Sequence, residues 1–189
     1  ILSEALTLFS TQGYVATSLA DIARASDISK AGLLHHYSSK DQLLAAVLDE
    51  RDRRIVSRLP RPEEGAEAAL DAWVDMMAHN QRHPDGVALY TAMSAAVIDS
   101  KHQAHPWFRE HLIGAISYLV DAFEHGKTTG EVREDAPSEQ IARRLVAISD
   151  GLQVQWLCSR ADGGRALNMH EVMAGVAVDM KKRWLIRSE

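Results

Sequence analysis

Nine histidines and a single cysteine are the side chains that first suggest chemistry in this 189-residue chain. His79 and His83 lie four apart, the spacing that puts two metal ligands on one helical face. His102, His105 and His111 gather around a junction between helical segments. No Glu-x-x-His and no second helical pair completes a ligand set. His83 also precedes Pro84, at a helix C-terminus, where the dipole favours an imidazole. No metal site is therefore assigned, and a metal-responsive role for these histidines is kept as the alternative. Cys158 stands alone, which excludes an internal disulfide framework and a multi-cysteine zinc site; it reads as a small buried hydrophobe. Paired carboxylates, a nucleophile–base pair and a phosphate-cradling glycine loop are all unrecognisable, so neither an enzyme nor a cofactor is expected.

A second constellation is more informative. In KAGLLHHY, one face offers Lys30, Ala31, Gly32, Leu34 and His35, while Leu33 and Tyr37 face the other way. Alanine and glycine permit close approach, and lysine and histidine supply donors. A short helix with small and donor residues at its N-terminal end suits the DNA major groove. Taken singly, Lys30 and Lys40 are ordinary solvated lysines and His35 is a surface histidine. Leu34 reads either as core or as an apolar contact to a thymine methyl.

The elements that must hold this face are helical. Alanine is the commonest residue, at 27, and Leu, Arg, Glu, Lys and Gln are frequent; all favour helix. Convincing period-two alternation is absent, so the class is all-α. Ile1, Leu2, Ala5, Leu6, Leu8 and Phe9 form an apolar stripe over about 1–12, and Gly13 sits where a helix stops. Thr17 or Ser18 caps a second, short helix, with Asp21 in a box-like position. Asp27 and Ser29 make the turn before KAGLLHHY. Ser38 or Ser39 caps a fourth helix running to about Leu59, stopped by Pro60 and Pro62. Its ERDRR run carries both charge signs and reads as a solvated face. Further helices are expected over 63–80, 84–100, 106–126, 137–160 and 169–187, with GKTTG and ADGG as breaks. The two shortest cannot be stable alone in water. Leu19, Ile22, Ile28, Leu33 and Tyr37 must therefore pack against the first stripe.

The segment SLADIARASDISKAGLLHHYSSKDQLL resembles the helix-turn-helix signature of the TetR family of transcriptional regulators. The likeness rests on inward Ile22 and Ala23, the turn before Ser29 and Lys30, His36-Tyr37, and SSKDQLL opening the fourth helix. It extends over about 45 residues, including Gly13-Tyr14 followed by Thr17. The resemblance implies nine helices in two domains: a DNA-binding head over 1–45 and a ligand-binding, dimerising bundle over 46–189. It implies that Lys30, Ala31, Gly32, Leu34 and His35 face the groove. It further implies phosphate contacts from Lys40 and from the hydroxyls and N–H groups of Thr17 and Ser18. Leu34 departs from the family, which usually has tyrosine there.

The rest of the chain reads through the same likeness. Most of its methionines and aromatics are core, and such an interior adapts to varied apolar ligands. The resemblance places a small-molecule effector site after residue 50; Met77, Tyr90, Met93, Trp107 and Tyr118 are the candidates to touch it. Ile141, Leu145, Ile148, Leu152 and Trp156 mark one stripe, and Val172, Met173, Val176, Met180 and Trp184 another. Together they exceed one face of a small domain. The family implies that helices over about 137–160 and 169–187 form a homodimer. The expected function is a repressor released from a palindromic operator by a small, largely apolar molecule.

Composition bounds these readings. With 46% hydrophobic and 25% charged residues the chain is ordinary for a globular protein. Net charge is −5. The first sixty residues carry seven Lys/Arg and seven Asp/Glu, and the remainder fourteen against nineteen. A basic coat for nucleic acid is absent, so any DNA binding must rest on local chemistry. No apolar run approaches membrane-spanning length. The start lacks a basic lead and a cleavage site, so no signal peptide is expected and a cytoplasmic location is. Because the first residue is Ile1, an arm ahead of it is expected.

Overall fold

Local side-chain caps start four of the helices. The computed structural model describes residues 1–161 and 167–186. Helix α1 is Leu2–Gln12, α2 Leu19–Ala25, α3 Lys30–His36 and α4 Lys40–Val56. A short 3₁₀ turn, Pro62–Glu64, precedes α5 (Ala66–Arg82), α6 (Pro84–Ala96), α7 (His105–Thr129), α8 (Ser138–Ala161) and α9 (Met169–Trp184). The protein is all-α: the described residues form nine α-helices and no strand, with one isolated antiparallel bridge between Val132 and Leu185. Side chains of Ser18, Ser29, Ser39 and Asn168 accept from backbone N–H groups in the first turns of α2, α3, α4 and α9. Each satisfies a donor the helix itself leaves orphaned.

Two boundaries differ from expectation. GKTTG does not break α7, which runs through Gly126 to Thr129. Gly126 serves close packing instead, because a Cβ there would sit 2.5 Å from Val132 Cγ2. The stop is Gly130, at φ +78°, a conformation that costs glycine little. The helix expected over 84–100 ends at Ala96. From Asp162 onward the ADGG break lies outside the described residues, as does residue 187 of the last helix.

The chain divides into two compact units. One comprises Ile1–Ser57 with His83–Arg109, the other Arg58–Arg82 with Glu110–Glu189. In the first, α1 packs on α4 and α6, and α2 on α3. Its core joins Ala5, Phe9, Ile22, Ala23, Leu33, Leu43, Leu44, Val47 and Leu48 with Leu89, Tyr90, Met93 and Phe108. Each large apolar side chain fully removed from water contributes about 1.5–3 kcal/mol. That tertiary term is what holds two seven-residue helices in place.

In the second unit α5 lies along α9, and α8 against α9. Trp73 Nε1 donates to Ser149 Oγ at 2.9 Å, and that hydroxyl donates to Leu145 O at 2.8 Å. The Glu131 carboxylate accepts from the N–H groups of Ala66 (3.0 Å) and Glu67 (2.8 Å), capping α5 from 64 or more residues away. Lys181 of α9 pairs with Glu67 and Asp71 of α5. Cys158, expected to be buried, is exposed on α8. It follows Gly151 and Val154 at helical spacing, on the face that α8 turns outward.

Candidate nucleic-acid interface

The turn joining α2 to α3 is closed by backbone hydrogen bonds. Ile28 N–H donates to Ala23 O (3.0 Å) and Asp27 N–H to Arg24 O (3.2 Å), the paired pattern of a Schellman motif. Asp27 occupies its left-handed position at φ 53°. The reversal delivers Ser29 as the cap of α3, its Oγ accepting from Gly32 N–H at 3.0 Å. Leu33, on the inner face of α3, is wholly buried. Lys30, Ala31, Leu34 and His35 are exposed and Gly32 is half-buried. The structure thus brings the five groove-facing candidates onto one surface. Leu34 is 39% exposed, which decides against a core role. His36 is also exposed, with its ring 5.9 Å from that of His35.

Three residues expected to contact phosphate make hydrogen bonds within the head. Thr17 is buried, and its hydroxyl donates to Gly13 O (2.9 Å) and Leu8 O (3.2 Å). Ser18 is committed to its capping box: its N–H donates to Asp21 Oδ2 at 3.1 Å and its hydroxyl to the same oxygen at 2.6 Å. Those bonds, with Arg24 beside them, hold the Asp21 carboxyl below its ordinary range. Lys40 turns back into the head, where its Nζ donates to Tyr14 O (2.8 Å), Thr17 O (3.1 Å) and Val15 O (3.4 Å). Sequence spacing cannot foresee this, because a four-carbon stem reaches outward or inward equally well. The Tyr14–Asp41 hydrogen bond is equally invisible to sequence reasoning. Tyr14 has no local signal, since its partner is 27 residues away.

Residues 1–47 match the family model described as bacterial regulatory proteins, tetR family. The chain is 28% identical over 169 residues to the A-factor receptor protein of Streptomyces griseus, covering 88% of this chain and 56% of that protein. It is 24% identical over 174 residues to the transcriptional repressor AcnR of Corynebacterium diphtheriae, covering 92% of this chain and 85% of the repressor. Thus it spans little more than half of the first relative and most of the second. The solved structure of a TetR transcription regulator from Haloarcula marismortui superposes with a TM-score of 0.79. It covers 98% of each chain at 22% identity, so it speaks to the fold.

The N-terminal head is thus that of a TetR-family protein, and the chain as a whole is similar to TetR-family regulators.

These likenesses support a DNA-binding transcriptional regulator. Its candidate effector residues fall in both units. Tyr90, Met93 and Trp107 belong to the unit that carries α1–α4. Tyr90 is buried against Phe108, with the Arg51 guanidinium 4.5 Å from its ring centre. Trp107 Nε1 donates to Asp49 Oδ1 at 2.7 Å. These contacts bind α4 to α6 and to the start of α7 (a cation over an aromatic face is worth about 0.5–2 kcal/mol). Met77 and Tyr118 belong to the other unit, Met77 fully buried. The Tyr118 hydroxyl is buried without a hydrogen-bond partner among the described residues. Burial, with Glu64 adding to it, pushes its pKa up to about 12. Among the described residues, no three His, Cys, Asp or Glu side chains converge to hold a metal ion. The metal-responsive alternative therefore has no support. No described helix is long and apolar enough to cross a membrane.

Proposed function

We propose that this regulator represses transcription as a homodimer, setting one α3 into each of two successive major grooves of a near-palindromic operator. The outward face of α3 carries the reading. Lys30 and His35 present donors, Ala31 and Gly32 admit close approach, and exposed Leu34 suits a thymine methyl. Residues 1–45 are the reading head and 46–189 the ligand-binding and dimerising part. The two grooves lie about 34–36 Å apart. Homodimerisation through α8 and α9 is supported by their outward apolar positions: Val154 is 48% exposed, Val172 39% and Val178 47%. Gly151 and Gly175 face open space on the same two helices, leaving room for a close helix–helix approach.

The effector is a small, largely apolar molecule, and the relative named as the A-factor receptor protein supports a receptor role. Met77 supplies an apolar surface. The unpartnered Tyr118 hydroxyl supplies one hydrogen-bonding group to orient the guest. Tyr90, Met93 and Trp107 act where α4 is gripped by α6 and α7. The effector weakens DNA binding only by its differential affinity for two states of the dimer, typically about 1–3 kcal/mol of coupling.

Selection of bound duplexes from a random DNA pool tests the reading. An enriched inverted repeat with half-sites about one helical turn apart is expected. Failure to enrich any sequence would sink it.

A further inference from the structure

The interior of the second unit holds a run of hydrogen bonds that ends on an open acceptor. Trp73 Nε1 has one proton and gives it to Ser149 Oγ (2.9 Å), and the Ser149 hydroxyl gives its own to Leu145 O (2.8 Å). One turn further along α8, Gln153 is only 4% exposed. Its Nε2 donates to Ser149 O at 3.4 Å. That bond fixes the orientation of the amide, since the flipped form would set two oxygens against each other. The Gln153 Oε1 is buried with no hydrogen-bond partner among the described residues. Neither neighbour in the run has a proton left to offer it. The helix directions say what lies at its level. Gln81, in the last turn of α5, accepts from His170 N–H in the first turn of α9. Ser159, near the end of α8, accepts from Leu167 N–H just ahead of α9. The C-terminal ends of α5 and α8 therefore meet at the start of α9, and the two helices run parallel. With Trp73 opposite Ser149, the next turn brings the fully buried Met77 to the level of Gln153.

We propose that Gln153 is a specificity-determining residue of the effector site: its Oε1 accepts from an O–H or N–H group of an otherwise apolar guest lying against Met77. A buried acceptor without a donor destabilises the free protein. A guest that brings the donor recovers that loss on binding. The Tyr118 hydroxyl both donates and accepts, so it does not set the polarity of the guest. The Gln153 oxygen only accepts, so it selects alcohols, phenols and N–H amides over ethers of the same shape. This deepens the effector reading above and rests on it.

Matched probes that exchange the donated proton for a methyl group test it: decanol against decyl methyl ether, and para-butylphenol against para-butylanisole. Binding to the DNA-free wild-type protein, to Gln153→Met and to Gln153→Leu is read from tryptophan fluorescence and from the thermal midpoint. In the wild type the hydroxyl member of each pair is expected to bind at least about tenfold tighter than its ether. In the variants that preference is expected to vanish. Without probes, at least one variant is expected to melt about 2–4 °C above the wild type, because the orphaned acceptor is gone. Lower midpoints in two folded variants show that the amide is already satisfied in the free protein, and overturn the proposal. Equal binding within each pair by the wild type overturns it too, even where the variants fail to fold, and leaves the effector reading standing. A hydroxyl preference that survives in a folded variant has the same consequence. A wild-type protein that binds none of the four probes refutes the apolar-effector reading on which the proposal rests.

Discussion

Leu33 and Leu34 are chemically identical neighbours on α3 with opposite surroundings, and replacing each by alanine separates folding from reading. Leu33 is wholly buried in a core shared by α1, α2, α4 and α6. Its truncation removes three carbons, about 0.8 kcal/mol each in transfer alone. The cavity left behind brings the expected loss to about 2–5 kcal/mol. Because α3 has seven residues, it has no stability of its own to absorb that loss. Leu34 is 39% exposed. Its truncation is expected to change stability by less than about 0.5 kcal/mol, as surface substitutions usually do. If Leu34 meets a thymine methyl, the loss appears in discrimination, at about 1–3 kcal/mol for the affected base pair. Urea unfolding followed by circular dichroism measures the first quantity, and competition between the selected duplex and single-base variants the second. Equal destabilisation by the two substitutions would show that α3 does not turn Leu34 outward for reading.

Three further outcomes are expected. Ser29→Ala removes the cap of α3 and lowers stability by about 1 kcal/mol in the same urea assay. Asp27→Gly relieves a left-handed non-glycine residue in the α2–α3 turn. It raises stability by about 0.5–1 kcal/mol, and a lower denaturation midpoint would count against the Schellman assignment. Tyr118 ionises at about 12 in the folded state, against 10.0 for an unperturbed tyrosine. Between those pH values the unfolded chain loses this proton first, so Tyr118's contribution to stability declines as pH rises from about 10 to 12. Thermal unfolding of wild type and Tyr118→Phe across that window reads it, the wild type losing stability relative to the variant toward the alkaline end.

Helix identity and most helix starts are legible in the sequence because their causes are local. Ser18 with Asp21, Ser29, Ser39 and Pro84 each act within one turn of the backbone they organise. The inward Leu33 and outward Lys30, Ala31, Leu34 and His35 follow from helical periodicity, which one element defines by itself. Only the tertiary structure decides what depends on a distant partner. Gly126 looks like a stop, yet it lies within α7, and its missing Cβ leaves room for Val132. The cap of α5 comes from Glu131, far along the chain. Thr17 and Lys40 carry groups that could serve a phosphate, and within the head they donate to backbone carbonyls. Short-range capping and periodicity are written in neighbouring residues. The direction of a long polar side chain is a competition between solvent, ligand and folded backbone, and it is settled only when the backbone has arrived.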